Sequence, residues 1–251
     1  MTLGRKDLLK CFLLAAGRGE RLRPLTETTP KCLVPIGGKP LLSIWLEHLQ
    51  LHGIDEVLIN THWLHEKVEA FLETWQGDPP RIIPFYENAL LGSAGTLLAN
   101  RNWIKESETF FIIYGDNLTN VDLTKMIAFH NEHDMPFTLG VFRTDRPNEC
   151  GIAEISPDGV VNGFVEKPKN PSSDRAAAGV YVADRRIFDF FPPVENTQDT
   201  LQPQPLDLGY HIVPMLIGNM KAYHIEEFLV DIGTPESYQK AQEIWKNRFG
   251  H

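Results

Sequence analysis

The chain has 251 residues, of which 42% are hydrophobic and 23% are charged, and its formal net charge is −9. This length can bury a full core, and the composition is ordinary for a globular protein. No apolar run approaches the ~18 residues needed to cross a bilayer. The three scattered cysteines form neither a disulfide framework nor a zinc pattern. We therefore exclude a membrane-spanning protein and a disulfide-rich scaffold, and expect a cytoplasmic protein.

The positive charge is concentrated at the start of the chain. Residues 1–40 hold eight Lys and Arg against three Asp and Glu, so the remaining residues carry the large negative excess. A protein that binds duplex nucleic acid would need a broad basic face. This distribution instead favours one small anionic ligand, and we expect neither a nucleic acid nor a membrane as a partner.

Strands and helices are predicted to alternate as far as residue 142. Apolar spacing predicts strands at 8–15, 56–60, 81–86, 110–114 and 136–142, and helices at 41–51, 64–75, 93–103 and 121–132. Such alternation is typical of an α/β fold whose mostly parallel sheet carries helices on both faces, a three-layer sandwich. Ligands bind such sheets at the carboxyl ends of the strands.

The pattern changes after Arg143. Predicted strands at 151–155 and 160–165 flank the turn sequence Ser156-Pro157-Asp158-Gly159, which indicates an antiparallel hairpin. Further predicted elements are strands at 177–182, 221–225 and 228–230, a short helix at 185–190, a Pro-rich connection at 192–205, a helix at 206–216 and a final helix from 235 to about 248, capped by Thr234. With no evident linker, we expect a single domain, 1–251, comprising a first half to about 142, a second half at about 143–233 and the C-terminal helix, 234–251.

A glycine-bearing loop follows the first predicted strand. Gly17 and Gly19 permit positive φ and a close backbone approach to a ligand, and consecutive N–H groups in such a turn suit phosphate oxygens. The cations placed around it are Arg18, Arg21, Arg23, Lys31 and Lys39. The loop lacks the third glycine of a dinucleotide fingerprint and the Gly-Lys-Ser/Thr of a P-loop. A plain turn gains nothing from five cations, so we interpret the loop as a triphosphate cradle.

Two aspartates follow apolar strands. Asp116 comes after the strand at 110–114, and Asp231 comes after the strand at 228–230. Either aspartate alone is more often a turn-forming or capping residue. Together, beside a polyphosphate loop, they suggest a Mg²⁺ site, because Mg²⁺ takes one or two carboxylates and leaves its other positions to phosphates and water.

Further motifs occur in a fixed order along the chain: Leu14-Ala15-Ala16-Gly17-Arg18-Gly19-Glu20-Arg21-Leu22-Arg23-Pro24-Leu25-Thr26, Pro30-Lys31, Pro35-Ile36-Gly37-Gly38-Lys39-Pro40, Gly115-Asp116, Glu166-Lys167-Pro168, Ala178-Gly179-Val180-Tyr181 and Asp231-Ile232-Gly233-Thr234-Pro235-Glu236. In these motifs, over nearly its whole length, the chain resembles the sugar-1-phosphate nucleotidylyltransferase family (NDP-sugar pyrophosphorylases). The resemblance implies a single Rossmann-like domain of the GT-A-like type, with a small antiparallel subregion that binds the sugar.

The resemblance also implies a reaction, in which a sugar phosphate oxygen attacks the α-phosphorus of a nucleoside triphosphate and pyrophosphate leaves. No general base is needed, because a phosphate monoester, with a second pKa of about 6, is already largely dianionic at neutral pH. By similarity, Arg21 and Lys31 are catalytic, and Asp116 and Asp231 hold Mg²⁺. The implied sugar-phosphate residues are Gly151, Glu166, Lys167 and Gly179. The implied nucleotide-binding residues are Leu14, Ala15, Ala16, Gly17, Arg18, Gly19, Glu87, Gly92, Ser93, Ala94 and Gly95.

The substrate pair is left more open by the resemblance. The segment 92–95 is similar to the Gly-Thr-Ala-Gly of guanylyltransferases acting on mannose- or heptose-1-phosphate, so GTP and such a sugar 1-phosphate are favoured. Ser93 replaces the usual threonine, and Cys150 stands where an aromatic residue is common. Uridylyl, thymidylyl or cytidylyl transfer to another sugar 1-phosphate or to phosphocholine stays open. So does a catalytically inactive sensor of nucleotide sugars.

The expected partners are the nucleoside triphosphate and the sugar 1-phosphate, and assembly into a homodimer is left open. The chain ends with its final predicted helix. We therefore expect no appended left-handed β-helix of the kind found in bifunctional or regulated members, and no acyltransferase activity.

Overall fold

The computed structural model describes residues 8–105, 108–193 and 204–249. Within these ranges the strands are β1 (Lys10–Leu14), β2 (Pro35–Ile36), β3 (Lys39–Pro40), β4 (Glu56–Thr61), β5 (Arg81–Tyr86), β6 (Thr109–Tyr114), β7 (Asn117–Thr119), β8 (Phe137–Arg143), β9 (Gly151–Ile155), β10 (Val161–Glu166), β11 (Arg175–Asp184), β12 (Met220–His224) and β13 (Leu229–Asp231). The α-helices are α1 (Leu25–Thr28), α2 (Leu41–Leu51), α3 (His65–Glu73), α4 (Ser93–Ala99), α5 (Leu123–Asn131) and α6 (Pro235–Phe249). None of these helices is long and apolar enough to cross a bilayer.

One mixed sheet forms the centre of the fold. Strands β6, β1, β4 and β5 lie side by side in that order, and all of them are parallel. Strand β11 joins β6 in the antiparallel direction and leads to the β9–β10 hairpin, while β8 pairs with β11 and β12 pairs with β8. The predicted fold class, a parallel sheet with an antiparallel subregion, is confirmed.

Both faces of the sheet are buried, as the first strand illustrates. Cys11 and Leu13 belong to a core that includes residues of α2, α3 and α6, whereas Phe12 and Leu14 belong to a second core that includes residues of α4. Successive side chains of a strand point to opposite faces, so an uninterrupted apolar strand requires a covering layer on each side. The three-layer arrangement follows from this pattern.

Two predicted helices differ in the structure. Helix α4 ends at Ala99 rather than at 103, because Asn100 donates its side-chain amide to the carbonyl of Thr96 and so competes with the helical hydrogen bonds. The helix predicted at 206–216 is wrong as an α-helix. It consists of a wide π-type turn at Leu208–Ile212 followed by a 3₁₀ turn at Val213–Leu216, since Pro214 has no N–H with which to continue an α-helix. Most of the predicted Pro-rich connection lies outside the described residues.

The final helix holds the segment that follows Lys31. Thr234 accepts the backbone N–H of Ser237, which confirms the predicted cap. From α6, Tyr238 donates its hydroxyl to the carbonyl of Pro35 at 2.7 Å, and Gln242 accepts the N–H of Gly37 at 2.9 Å. The two short strands β2 and β3 are thereby fixed against the C-terminal helix.

Two histidines make the stability of the fold sensitive to acid. Burial lowers the pKa of His48 to about 4 and that of His130 to about 4. Above pH 6.5 both are neutral in the folded and unfolded chain. Between pH 6.5 and 4 the unfolded chain binds protons that the folded chain does not, so stability falls as the pH falls.

We expect His48→Gln and His130→Gln each to reduce this loss by about 1.4 kcal/mol per pH unit, the value for one proton. Urea unfolding at a series of pH values from 7 to 4 measures the slope. An unchanged slope in both buried-site variants would contradict the assignment.

Candidate active site

A cavity of about 310 Å³ opens at the carboxyl ends of β1, β4 and β6. Predicted site residues in its wall are Leu14, Ala15, Ala16, Gly17, Lys31, Glu87, Gly92, Ser93 and Asp116. The structure therefore brings together the glycine loop, the segment after β5 and the aspartate after β6. This is the edge of the sheet at which α/β folds of this kind bind ligands.

Gly17 and Gly19 have different roles in the loop. Gly19 has φ of +63°, and a Cβ there would lie 2.8 Å from Cγ2 of Thr26, so both conformation and space require glycine. The hydroxyl of Thr26 also donates to the Gly19 carbonyl at 2.7 Å. A Cβ at Gly17 would meet no atom within 4 Å. Gly17 thus leaves the open side of the loop clear for a ligand, and Gly19 sets the shape of the loop.

The start of the loop is tied to the neighbouring strands. The N–H of Ala15 donates to Oδ1 of Asn60 at 2.7 Å, and the N–H of Gly115 donates to the Leu14 carbonyl at 2.9 Å. Sequence reasoning missed Asn60. A polar residue that ends an apolar strand was the signal that identified Asp116, and the same signal was available here.

Glu87 is 2% exposed and is committed to internal hydrogen bonds. Its Oε1 accepts the side-chain amide of Asn60 at 2.8 Å and the hydroxyl of Thr96 at 2.5 Å, and its Oε2 accepts the N–H of Leu91 at 2.9 Å. A carboxylate offers about four acceptor positions. Three of them are occupied, so the main effect of Glu87 is to fix the loop that follows β5. Its contact with a base stays a prediction.

The segment after Leu91 is held by the chain at Leu206. The carbonyl of Leu206 accepts hydrogen bonds from the N–H groups of Ala94 at 2.9 Å and Gly95 at 3.0 Å. The N–H of Leu206 donates to the Leu91 carbonyl. Ala94 is fully buried and neither Ala94 nor Gly95 is part of the cavity wall. Of the four predicted residues in this segment, Gly92 and Ser93 face the cavity, and the other two support it from behind.

Lys31 is the centre of charge in the site. It lies in a 3₁₀ turn, is 7% exposed, and places its ammonium 2.6 Å from Oδ2 of Asp116 and 3.5 Å from Oδ1 of Asp231. Burial alone would lower the pKa of Lys31, but the two carboxylates outweigh burial and raise it. The lysine is therefore charged throughout the neutral range.

Asp116 and Asp231 meet because of a small antiparallel ladder. Strands β7 and β13 pair Asn117 with Asp231, and the N–H of Ile232 donates to the Asp116 carbonyl at 3.1 Å. Burial and the neighbouring Asp116 raise the pKa of Asp231. The side chains of the two aspartates are 40% and 49% exposed, so both can reach a ligand.

The two aspartates fit a Mg²⁺ ion. They offer hard oxygen donors next to the phosphate loop, and Mg²⁺ needs only one or two carboxylates when phosphates and water supply the remaining positions. Among the described residues there is no cluster of three or more His, Cys, Asp or Glu side chains that would form a complete protein cage. The donor set is thus of the kind that binds a metal together with a phosphate ligand.

The other predicted cations are distributed differently. Arg21 is exposed and is not part of the cavity wall, and its guanidinium lies 3.7 Å from Oδ2 of Asp231. Lys39 pairs with Glu47 of α2 at 2.5 Å and Arg23 pairs with Glu20, and neither lines the cavity. Their part in the cradle stays a prediction. Arg18 is exposed outside the wall.

The predicted sugar-phosphate residues lie near the β9–β10 hairpin. Glu166 has a side chain that is 17% exposed, with the ammonium of Lys167 at 3.9 Å. Burial raises the pKa of Glu166. A Cβ at Gly151 would lie 2.5 Å from Oε2 of Glu166, so this glycine leaves room for the carboxylate. Lys167 has φ of +48°, which is uncommon for a residue with a side chain and occurs most often at functional sites.

Gly179 has a packing role in the structure. Its φ is +67°, and a Cβ there would lie 2.5 Å from Nδ2 of Asn117 and 2.7 Å from Cδ2 of Tyr114. It occupies the irregularity of β11 between Ala177 and Tyr181. The glycine therefore lets β11 approach Tyr114, a cavity residue. Its contact with a sugar stays a prediction.

The fold and the site together define a Rossmann-like α/β protein with a glycine loop facing a lysine–aspartate cluster. The chain belongs to the nucleotidyl transferase family, whose model matches residues 10–248. The family resemblance predicted from the motifs is thus confirmed.

Two relatives indicate the range of the family. A mannose-1-phosphate guanylyltransferase catalytic subunit beta of Dictyostelium discoideum is 27% identical over 243 residues, covering 95% of this chain and 65% of that protein. A UTP–glucose-1-phosphate uridylyltransferase of Synechocystis sp. is 29% identical over 251 residues, covering 93% of this chain and 62% of that protein. The chain spans less than two thirds of the length of these relatives.

Solved structures share the fold over almost the whole chain. HddC from Yersinia pseudotuberculosis is 25% identical, with a TM-score of 0.77 over 94% of this chain and 99% of that one. A putative glucose-1-phosphate thymidylyltransferase from Bacillus anthracis is 24% identical, with a TM-score of 0.84 over 97% of this chain and 98% of that one.

The loop at Gly92 provides a test of the site's architecture. Gly92 has φ of +81°, and a Cβ there would lie 2.4 Å from the carbonyl oxygen of Leu206. Gly218 has φ of +80°, but a Cβ there would have no atom within 4 Å. We expect Gly218→Ala to cost about 1 kcal/mol through backbone strain alone. Gly92→Ala should cost about 2 kcal/mol more, because its backbone, with ψ of 164°, is in a region open almost only to glycine and because the backbone of Leu206 must move. Urea unfolding of both variants measures the difference, and equal losses would show that Leu206 does not restrain this loop.

Proposed function

We propose that this protein is a sugar-1-phosphate nucleotidylyltransferase. The reaction joins a nucleoside triphosphate to a sugar 1-phosphate, giving an NDP-sugar and pyrophosphate. The observation that carries the proposal is the ammonium of Lys31 between the carboxylates of Asp116 and Asp231, at the open side of the Gly17 loop. Membership of the nucleotidyl transferase family and relatives named for this activity support it.

The chemistry asks for alignment and charge neutralisation rather than for proton transfer. The attacking phosphate is largely dianionic at neutral pH, so no general base is required. The charge that develops on the departing pyrophosphate must be stabilised by fixed cations. Lys31, which is held in place by the two carboxylates, is assigned to the reacting phosphates. Arg21, which lies beside Asp231, is assigned to the leaving group.

Mg²⁺ completes the proposal. Asp116 and Asp231 are the residues that would hold it, and it would supply charge neutralisation and orientation at the α-phosphate. Lys31 already shares both carboxylates, so it limits the repulsion between them until the substrate binds.

GTP with a mannose- or heptose-type sugar 1-phosphate is the favoured substrate pair. The Gly-Ser-Ala-Gly segment, the mannose-1-phosphate guanylyltransferase relatives and the HddC structure in complex with GMP-PN support this choice. The uridylyltransferase relative and the thymidylyltransferase structure are the reason to test other bases equally. We also propose that the part of the chain up to about residue 142 binds the nucleotide and that the part at about 143–233 binds the sugar phosphate.

We expect Mg²⁺-dependent release of pyrophosphate with one nucleotide and one class of acceptor. The measurement crosses GTP, UTP, dTTP, CTP and ATP with a panel of hexose, heptose and amino-sugar 1-phosphates and phosphocholine, with and without EDTA. GTP with a mannose or heptose 1-phosphate should give the fastest release. Release with another pair would replace the favoured substrates. The absence of release with every pair would contradict the enzyme itself and leave the nucleotide-sugar sensor as the alternative.

We expect Lys31→Ala and Asp116→Asn each to lower kcat by a factor of about 10² to 10³, the effect of removing one group that stabilises developing charge. Lys39→Ala is the matched control: it also removes a cation near the loop, but one that pairs with Glu47. Steady-state kinetics and circular dichroism on the three variants separate catalysis from folding. Turnover near the parental rate in a folded Lys31→Ala protein would show that the residue is wrongly assigned.

A further inference from the structure

Glu166 is a mostly buried carboxylate with little support from the protein. Among the described residues, no donor forms a hydrogen bond with it, and its nearest cation is the ammonium of Lys167 at 3.9 Å. A buried carboxylate without donors is costly. The position of this group must therefore be imposed by the space around it, and its acceptor oxygens are available to a ligand.

Gly209 forms one side of that space. A Cβ built at Gly209 would lie 2.6 Å from Oε2 and 3.0 Å from Cδ of Glu166. Gly209 lies in the wide turn Leu208–Ile212, and its φ is outside the left-handed region, so the backbone there does not itself require glycine. What the missing side chain provides is room. Gly151 also leaves room for the carboxylate, because a Cβ there would lie 2.5 Å from Oε2 of Glu166.

The space left by the missing side chains of Gly151 and Gly209, here called the slot, also lies next to Asp207, which lines the cavity. The Cβ position of Gly209 is also 3.3 Å from Oδ1 of Asp207, so one methyl group there would contact both carboxylates. Asp207 is held by the hydroxyl of Ser93 at 2.9 Å and by the N–H of Tyr210 at 3.1 Å. Each of its oxygens keeps acceptor capacity. Two acceptors thus converge beside a cavity that the nucleotide loop also lines.

We propose that Gly209 is a positioning residue for substrate recognition: its lack of a Cβ lets the Glu166 carboxylate sit beside Asp207, so that both accept hydrogen bonds from the hydroxyl groups of one sugar ring. This inference rests on the proposed function, because it assigns the ligand of that site. It adds Gly209 and Asp207 to the sugar-binding side, and neither was identified from the sequence.

The kinetic test is Gly209→Ala. We expect the KM for the sugar 1-phosphate to rise about tenfold, the size expected for one lost hydrogen bond to a charged acceptor, while the KM for the nucleoside triphosphate changes less than twofold. The added methyl group must displace the mostly buried Glu166 carboxylate, so we expect a small loss of stability, and the melting temperature is measured to show that the variant is folded. Equal effects on both KM values, or no effect on either, would overturn the proposal.

A matched control and a rescue sharpen the test. Gly163→Ala also places a methyl group against a glutamate, Glu154 at 2.8 Å, but that side chain is exposed and can move. Both KM values should therefore stay unchanged. Glu166→Asp shortens the side chain by one bond, about 1.5 Å. In that background Gly209→Ala should raise the sugar-phosphate KM less than it does in the parent protein, and purely additive effects would contradict the steric mechanism.

Crystal structures of the parent protein and of Gly209→Ala test the same inference without any assay. We expect the Glu166 carboxylate to leave its place beside Asp207 in the variant. An unmoved carboxylate would overturn the positioning role even if the enzyme is active. If no substrate pair releases pyrophosphate, the proposed function fails, and a displaced carboxylate then leaves the slot as a feature of the fold and the sugar as the wrong ligand.

Discussion

One ammonium group between two carboxylates connects three distant parts of the chain. Lys31 is 85 residues from Asp116 and 200 residues from Asp231, yet its Nζ lies within 3.5 Å of both. Two bare carboxylates about 4 Å apart would repel by about 4 kcal/mol near a protein surface, and a shared cation reverses the sign of that interaction. The loop after β1, the end of β6 and the end of β13 are therefore held in one arrangement before any ligand arrives. Such preorganisation is what charge stabilisation in a reaction requires.

A second network, built from hydrogen bonds to the Glu87 carboxylate, supports another part of the cavity wall. Asn60 accepts from Ala15 and donates to Glu87, which also receives hydrogen bonds from Thr96 and Leu91. Each of these polar groups has a hydrogen-bond partner, and these bonds offset the desolvation cost of burying the network. It connects the glycine loop to the segment that faces the cavity at Gly92. The lysine–aspartate cluster is thus organised by charge, and the Gly92 segment is organised by buried hydrogen bonds.

The parts of the site that the sequence predicts are those at the ends of long apolar strands. Asp116 could be found because β6 is an apolar run that stops at a glycine and a carboxylate. The meeting of Asp116 with Asp231 was predicted as a shared Mg²⁺ site, but the ladder that brings them together was not, because β7 has only three residues, too few to show a period. Gly209 was beyond reach for a different reason: its meaning depends on Glu166, 43 residues away, entering the space where a side chain would be. The same applies to Ala94 and Gly95, whose N–H groups face Leu206 instead of the cavity.

The proposed function divides the site between charge and shape. A phosphate chain needs the same cations and oxygen ligands whatever base it carries, so Lys31, Asp116 and Asp231 place no constraint on the base. The base and the sugar meet walls shaped by backbone, by glycines and by carboxylates whose positions are set from behind. Changing one supporting residue there alters recognition without touching the transfer chemistry. Specificity in this fold should therefore be sought in the residues that position Glu87 and Glu166, rather than in the glycine loop itself.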